Sequence, residues 1–386
     1  MPTGQANERS KAYLEMSDTT LELMGPEHQP LPLEGTSDEQ ALALFKSLLY
    51  NSPDDRRALS NAIHCWDLIP KFSGEYLNQA DELPDAHTCE FSFYHKKLKM
   101  VLFPGTIYRG DPKSEETSTT RRYPGGREQA VEQALVKIAA EQAEMLEVNG
   151  RPVYQVIFSI RHIRDVLATL GSTCNHQQVV ESLEILSSSL LTISDEQGKS
   201  IQRSPILPGF SCTSKTGKAS TSPDAQWMVT LHPLVAHSIR HATYRQYNIA
   251  RFAGHRAYGV YLLRQIILNA TNISAEHPHR IRYTTLRQLT SGLNYSRTRD
   301  GISYLEKEIK SMVKSGCLSD YEREDHYAQR RGKGRPALTD ATFTLYPSDT
   351  LVAEVKASSK RQGHAEQTLK LSRMHRKERQ LGLPLG

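Results

Sequence analysis

The strongest constraint in this chain of 386 residues is an order of elements that occurs twice. In the first copy, residues 127–148 predict a long helix with Val131, Leu135, Ile138 and Met145 on one stripe, followed by a strand over 153–158. Ser159 is placed to cap a helix over 160–170, which Gly171 stops. A polar turn through Cys174 and Asn175 then leads into a helix over 176–187, with Val179, Val180, Leu183 and Leu186 inward. A strand over 190–194, a turn over 195–199 and a returning strand over 226–231 close the copy, and the stretch between reads as loop. In the second copy, a helix over 256–269 turns Val260, Leu263 and Ile267 inward and precedes a strand over 280–283. A short helix over 286–290 ends at Gly292. After a turn at 293–295, Ser296 is placed to cap a long helix that runs to Lys314 and stops at Gly316. Strands over 317–322 and 341–346 flank a loop over 324–339. The copies do not match residue for residue; the duplication is one of pattern.

Helix, strand, helix, tight turn, helix, strand, loop, strand is the order of a winged helix, in which the second and third helices form a helix-turn-helix and the hairpin loop is the wing. The expected fold class is therefore α+β, mainly α, with two tandem winged-helix domains over 126–250 and 251–348. Ahead of them, 1–53 reads as an acidic, flexible arm with one helix beginning near Ser37. Residues 54–125 read as a helix over 54–67, a hairpin of 90–95 with 97–103, and a long polar loop over 105–126. Residues 349–386 read as a basic, helix-prone tail.

Charge is distributed unevenly. Residues 1–50 carry eight acids against three cations, a net of −5. Residues 280–335 carry thirteen Lys/Arg against seven acids, and 356–379 eight against two, each a net of +6. Such polarity suits contact with a polyanion, although a solvated surface would also carry charge. No run of about 20 apolar residues is present, which excludes a transmembrane helix, and the first thirty residues hold no apolar signal core. The five cysteines lack paired spacing, so neither a disulfide framework nor a zinc site is expected, and a reducing cytoplasm fits. Enzymatic patterns are missing: Gly217-Lys218 is followed by Ala219 rather than Ser or Thr, and His277-Pro278-His279 reads as loop. The chain is expected to be no enzyme and to need no cofactor or metal.

The residues expected to meet a polyanion cluster in the second copy. Asn294, Tyr295, Ser296, Arg297 and Arg299 form the start of the third helix, the end that enters a major groove, where Arg bonds guanine O6 and N7. Two arginines at a helix N-terminus oppose the macrodipole, a small cost that a polyanion removes. Lys307, Lys310 and Lys314 lie further along, suited to phosphates or solvent. The wing sequence holds Arg330, Arg331, Lys333 and Arg335 with two glycines and no acid, a loop suited to the phosphate backbone or the minor groove. In the first copy, His176, Gln177 and Gln178 open the third helix, and Lys199 and Arg203 offer phosphate contacts. Arg245 and Arg251, between the copies, suit backbone contact, while the neighbouring tyrosines equally suit packing between domains. At the C-terminus, Gln380, Leu381, Leu383, Pro384 and Leu385 form a leucine-spaced peptide suited to a partner's groove, and it resembles the Gln-Leu-x-Leu-Pro-Leu peptide with which bacterial proteins bind the sliding clamp.

Over residues 126–348 the sequence resembles the winged-helix replication initiators of bacterial plasmids, the TrfA-type and related iteron-binding Rep proteins. The resemblance lies in 257–268, 284–293 and 302–318. It implies sequence-specific binding of repeated double-stranded origin DNA, opening of the duplex, and recruitment of the host initiator and helicase. It also implies a self-associated dimer that is inactive and a monomer that binds DNA. The family's own clamp peptide ends in an aromatic and lies elsewhere in the chain, whereas this one ends Leu383-Pro384-Leu385. The alternatives in view are a transcriptional repressor of the same fold and, more distantly, an origin-nicking enzyme.

Overall fold

The computed structural model describes residues 38–47, 58–73, 77–79, 82–93, 96–110, 117–148, 151–213, 225–290, 295–329 and 336–380. The chain begins with helix α1 (Asp38–Ser47), strand β1 (Leu59–Ile63) and the single-turn helix α2 (His64–Asp67). The expected helix over 54–67 is thus corrected over 59–63. Leu59, Ile63 and Trp66 have helical spacing, but β1 pairs antiparallel with a strand some 185 residues later, from Leu59↔Asn248 to Ile63↔Tyr244. Because Ser60 to Ile63 are all buried, the two-residue alternation that marks a strand is erased.

Strands β2 (His87–Phe93) and β3 (Lys96–Leu102) form the expected hairpin. Strands β4 (Gly105–Gly110) and β5 (Thr117–Arg122) pair as a ribbon where a loop was expected. Helix α3 (Gly126–Gln142) ends sooner than expected, because Ala143 is extended and residues from Glu144 form strand β6 (Glu144–Val148) against β7 (Arg151–Phe158). Helices α4 (Ile160–Thr169) and α5 (His176–Ser188) follow, joined by the expected turn at Gly171, whose φ is +67°.

The next hairpin departs from expectation. Strand β8 (Leu190–Asp195) is answered directly by β9 (Ser200–Pro205), because the Asp195 carboxylate accepts the amides of Gln197 and Lys199 and closes the turn. The inward residues of β9 are Gln202 and Ser204, both polar, which disguised it as loop. Strands β10 (Gly209–Thr213) and β11 (Gln226–Thr230) belong elsewhere: β11 pairs with β7 in the sheet β10-β11-β7-β6, while β8 and β9 join the first hairpin as β2-β3-β8-β9.

Helix α6 (Pro233–His241) leads to β12 (Tyr244–Asn248), the partner of β1, and a 3₁₀ turn over Ile249–Phe252. The link between the copies is therefore core, with Tyr244 and Tyr247 buried. The second copy matches the expected order: α7 (Ala257–Asn269), β13 (His279–Arg282), α8 (Tyr283–Thr290), α9 (Thr298–Lys314), β14 (Leu318–Tyr327) and β15 (Leu338–Pro347), in a sheet ordered β13-β15-β14. Helix α10 (Asp349–Gln380) then returns across β12 and α1, burying Leu351, Val355, Ala365 and Leu369 along one stripe. Two bonds from Arg251 to the Glu354 carboxylate, at 3.1 and 2.9 Å, and one from Arg361 to Gln246 fasten it. With fifteen strands in five sheets among the described residues, the fold is mixed α+β rather than mainly α. No helix among those residues is long and apolar enough to cross a membrane.

A buried polar junction joins α7 to the earlier elements. The Arg264 guanidinium lies 3.2 Å from the Asp67 carboxylate, whose other oxygen accepts the Ile63 amide at 2.7 Å. Lys71, fully buried, donates to the Trp66 carbonyl at 2.8 Å and sits 3.4 Å from Glu132 of α3, which also accepts the Trp66 indole N–H at 2.7 Å. Burial pushes the Lys71 amine down and the Glu132 carboxyl up, each opposed by the charge of the other. Along α7 a ladder at four-residue spacing continues the seam: Tyr261 donates to the Leu68 carbonyl, Gln265 to Tyr261, and Asn269 to Gln265.

Removing one member of a buried pair strands the other. Asp67→Ala should therefore cost about 3–5 kcal/mol in urea unfolding, and Asp67→Ala/Arg264→Met should recover part of it; a loss below about 1 kcal/mol, the scale of an exposed pair, would disprove the role. Acid should also weaken the fold. Burial holds His232 and His237 well below the ordinary histidine value of 6.5, so the unfolded chain takes up their protons first. That stability is present above 6.5 and is lost as pH falls beneath it. The urea midpoint is expected to be lower at pH 5.2 than at pH 7, with a smaller drop in His232→Gln.

Candidate nucleic-acid interface

Helix α9 is amphipathic. Ile302, Leu305, Ile309 and Met312 are buried, and Arg299, Ser303, Lys307, Lys310 and Lys314 are exposed. At 100° per residue those five fall on an arc of roughly 80° that contains no acid. The side chains of Arg297, Arg299 and Lys307 have no ion-pair or hydrogen-bond partner among the described residues, whereas Lys310 lies 3.2 Å from Glu306 on the edge of the arc. The helix begins later than expected: Arg297, extended at φ −113° and ψ 124°, is the N-cap, and its carbonyl accepts the Asp300 amide. Arg297 and Arg299 therefore both stand at the positive end of the helix, offset locally by Asp300, in the setting where an anion is favoured.

Three contacts fix this helix in its frame. Gly301 packs directly on Tyr283 of α8, where any Cβ would overlap the phenol oxygen. Asp340, on β15 near the hairpin tip, caps α8 from outside: it accepts the Thr284 amide at 3.0 Å and the Thr284 hydroxyl at 2.7 Å. Glu306 of α9 accepts the Tyr321 hydroxyl at 2.8 Å and pairs with Arg323 at 2.5 Å, both on β14; Arg323 also bonds Asp325 at 2.7 Å. Burial alone would lift the Glu306 carboxyl, but the bonds from Tyr321, Lys310 and Arg323 outweigh it and hold the group below the usual carboxylate range. Helix and hairpin are thus tied into one body. At the hairpin tip the Ala328 amide bonds the Ala337 carbonyl at 2.9 Å.

The other expected residues fall unevenly. Ser296 is exposed, and Tyr295 is half-buried with its ring 5.5 Å from that of Tyr304. Asn294, Arg330, Arg331, Lys333 and Arg335 lie outside the described residues, as do Leu381, Leu383, Pro384 and Leu385; Gln380 ends α10. On α5, Gln177 is exposed and His176 half-buried. The Gln178 side chain accepts the Asn175 amide at 2.9 Å while Asn175 accepts the Gln178 amide, a reciprocal cap that occupies its carbonyl. Lys199 and Arg203 are exposed on the β8–β9 hairpin. Arg245 is half-buried and bonds Ser359 of α10 at 3.2 Å and the Ile267 carbonyl at 3.5 Å, a packing position between β12, α7 and α10.

Other exposed cations were not singled out in the sequence. Lys97 and Lys99 of β3 share the outer face of the β2-β3-β8-β9 sheet with Arg203, and Arg280 and Arg282 lie on β13. The alternation Arg-Ile-Arg at 280–282 was a usable signal. The face shared by β3 and β9 was not, because it arises from pairing across a hundred residues.

No protein-family model matches the chain, and no curated protein matches its sequence. Among solved structures, domains 2 and 3 of RctB align over 72% of this chain and 98% of that one, at 9% identity and a TM-score of 0.43. A second structure of the same domains aligns over 70% and 94%, at 8% identity and a TM-score of 0.38. The Pi initiator protein in complex with iteron DNA aligns over 58% and 90%, at 12% identity and a TM-score of 0.37.

The Gly301–Tyr283 contact is directly testable. Gly301→Ala should lose about 1–3 kcal/mol of stability through overpacking, and adding Tyr283→Phe should restore part of it. An unchanged urea midpoint in Gly301→Ala would show that the two helices are not locked there.

Proposed function

We propose that the chain is a plasmid replication initiator that binds repeated double-stranded origin DNA through a winged helix formed by residues 257–347. The observation that carries this reading is the acid-free arc of Arg299, Lys307, Lys310 and Lys314 on α9, tied by Glu306 to the hairpin that bears the Arg330–Arg335 sequence. In this reading α9 enters the major groove by its N-terminal end. Arg297 and Arg299 meet base edges, while Lys307, Lys310 and Lys314 neutralise phosphates along the groove wall. The wing arginines and Lys333 meet the adjacent backbone or minor groove.

In this reading residues 126–250 form the first, divergent counterpart of that winged helix, its hairpin in a separate sheet from β7, with Gln177, Lys199 and Arg203 towards the next stretch of DNA. Its outer sheet face exposes Leu146, Val148 and Ile157 beside the edge strand β6, which supports self-association in the absence of DNA. Duplex opening follows from bending strain accumulated over adjacent sites, with no catalytic step by the chain. The Gln380–Leu385 peptide recruits the sliding clamp, and other surfaces the host initiator and helicase, in the cytoplasm of a bacterial host.

Fluorescence anisotropy on duplexes that tile the DNA flanking the gene, across a salt series, tests the reading. Tight binding to a repeated element should survive salt that strips a shuffled duplex. Arg299→Ala should cost about 1–3 kcal/mol on that element and relax its base preference. Lys314→Ala should weaken all duplexes alike and reduce the salt slope by about 1. Equal, salt-labile binding to every duplex would overturn the assignment.

A further inference from the structure

Beyond Leu369, helix α10 carries an apolar pair that no described residue covers. Leu371 is 48% exposed and Met374 57%, three residues apart on the side turned away from the buried stripe. Earlier on the same helix Leu351, Val355, Ala365 and Leu369 are buried and Val352 is half-buried. The surrounding sequence is basic: residues 370–380 hold five Lys/Arg against Glu378, a net of +4. A helix that exposes leucine and methionine within a basic sequence fits an acidic segment with apolar residues of its own.

The chain supplies such a segment. Residues 1–37 carry six acids against Arg9 and Lys11, a net of −4, and Glu15, Asp18 and Glu22 are interleaved with Leu14, Met16, Leu21 and Leu23. The segment leads into α1, whose first residue, Asp38, is held by Arg240 at 2.7 Å, and α1 itself packs on α10. A coil of about 16 residues spans roughly 20–24 Å on average and about 55 Å when extended, more than the roughly 48 Å length of α10, the helix on which α1 packs. Tethering at this range gives a local concentration of the order of millimolar, far above that of a second copy at micromolar protein.

We propose that the acidic arm of this chain, centred on residues 13–24, docks on the Leu371–Met374 side of its own α10. Its leucines cover the apolar pair, and its carboxylates neutralise the surrounding cations. The arm thereby occupies the basic helix that precedes the Gln380–Leu385 peptide, so a polyanion or partner protein that engages this end must displace it. The proposal stands on exposure, charge and tether length, and its test needs no DNA.

Full-length chain, mixed 1:1 as ¹⁴N- and ¹⁵N-labelled protein at micromolar concentration, is treated with a carbodiimide, which joins only amines and carboxylates in contact, and is mapped by mass spectrometry. The link between Lys97 and Glu196, 3.9 Å apart in the structure but distant in the chain, reports an intact fold. Links from Lys370 or Lys377 to Glu15, Asp18 or Glu22 are expected within single-isotope species, and several-fold fewer in Leu371→Ser/Met374→Ser. Three results would overturn the proposal: the control link without arm links, arm links of mixed isotope, which assign the surface to a second copy, or arm links unchanged in the double variant.

Discussion

Four charges taken out of water, Asp67 with Arg264 and Lys71 with Glu132, set the condition on which the rest of the molecule depends. Each would be costly alone, and the desolvation is offset only when every partner is in place. Those partners come from α2, the segment that follows it, α3 and α7, so the earlier part of the chain and the first helix of the 257–347 unit must assemble together. Helix α7 in turn backs α9, and β2 touches α8 through the Cys89 thiol and the Gln288 carbonyl. The basic face of α9 therefore inherits its position from a junction of charges that never meet solvent.

Within the second unit, the polar bonds serve preorganisation. Glu306 draws Tyr321, Arg323 and Lys310 to one carboxylate, and Asp340 holds the start of α8 from the neighbouring strand. A polyanion that meets this surface does not have to order helix and hairpin relative to each other, which lowers the entropic cost of association. The first unit has the same order of elements and a different pairing. Its strand after the first helix, β7, lies in one sheet and its hairpin in another, while in the second unit all three strands share a sheet. The same linear pattern thus supports two architectures, and only the second concentrates cations on its third helix.

What the sequence made legible follows from how local each signal is. The second copy was readable because its turns, caps and apolar stripes act within about twenty residues: Gly316 adopts φ +73° where a stop was expected, and Ile302, Leu305 and Ile309 face the core. Strand β1 is not legible because its partner lies across about half of the chain and both of its faces are covered, which removes the alternation. Strand β9 was missed because Gln202 and Ser204 point inward, against the usual polarity. The start of the candidate site is displaced by one residue, since Ser296 looks like a better cap than Arg297 and the backbone bonds decide otherwise. Arg245 could not be assigned from sequence at all: its guanidinium is held by Ser359, more than a hundred positions away.

Helix α10 has a mechanical consequence. Its last buried apolar residue is Leu369, and it continues to Gln380, about 16 Å further along the axis. Over that length its two apolar side chains, Leu371 and Met374, are both exposed, so the buried stripe that holds the helix ends well before the helix does. Because the same rod is clamped at its base by Arg251 on Glu354, a load applied at the far end is transmitted to the 3₁₀ turn between the two halves instead of being absorbed in a slack linker.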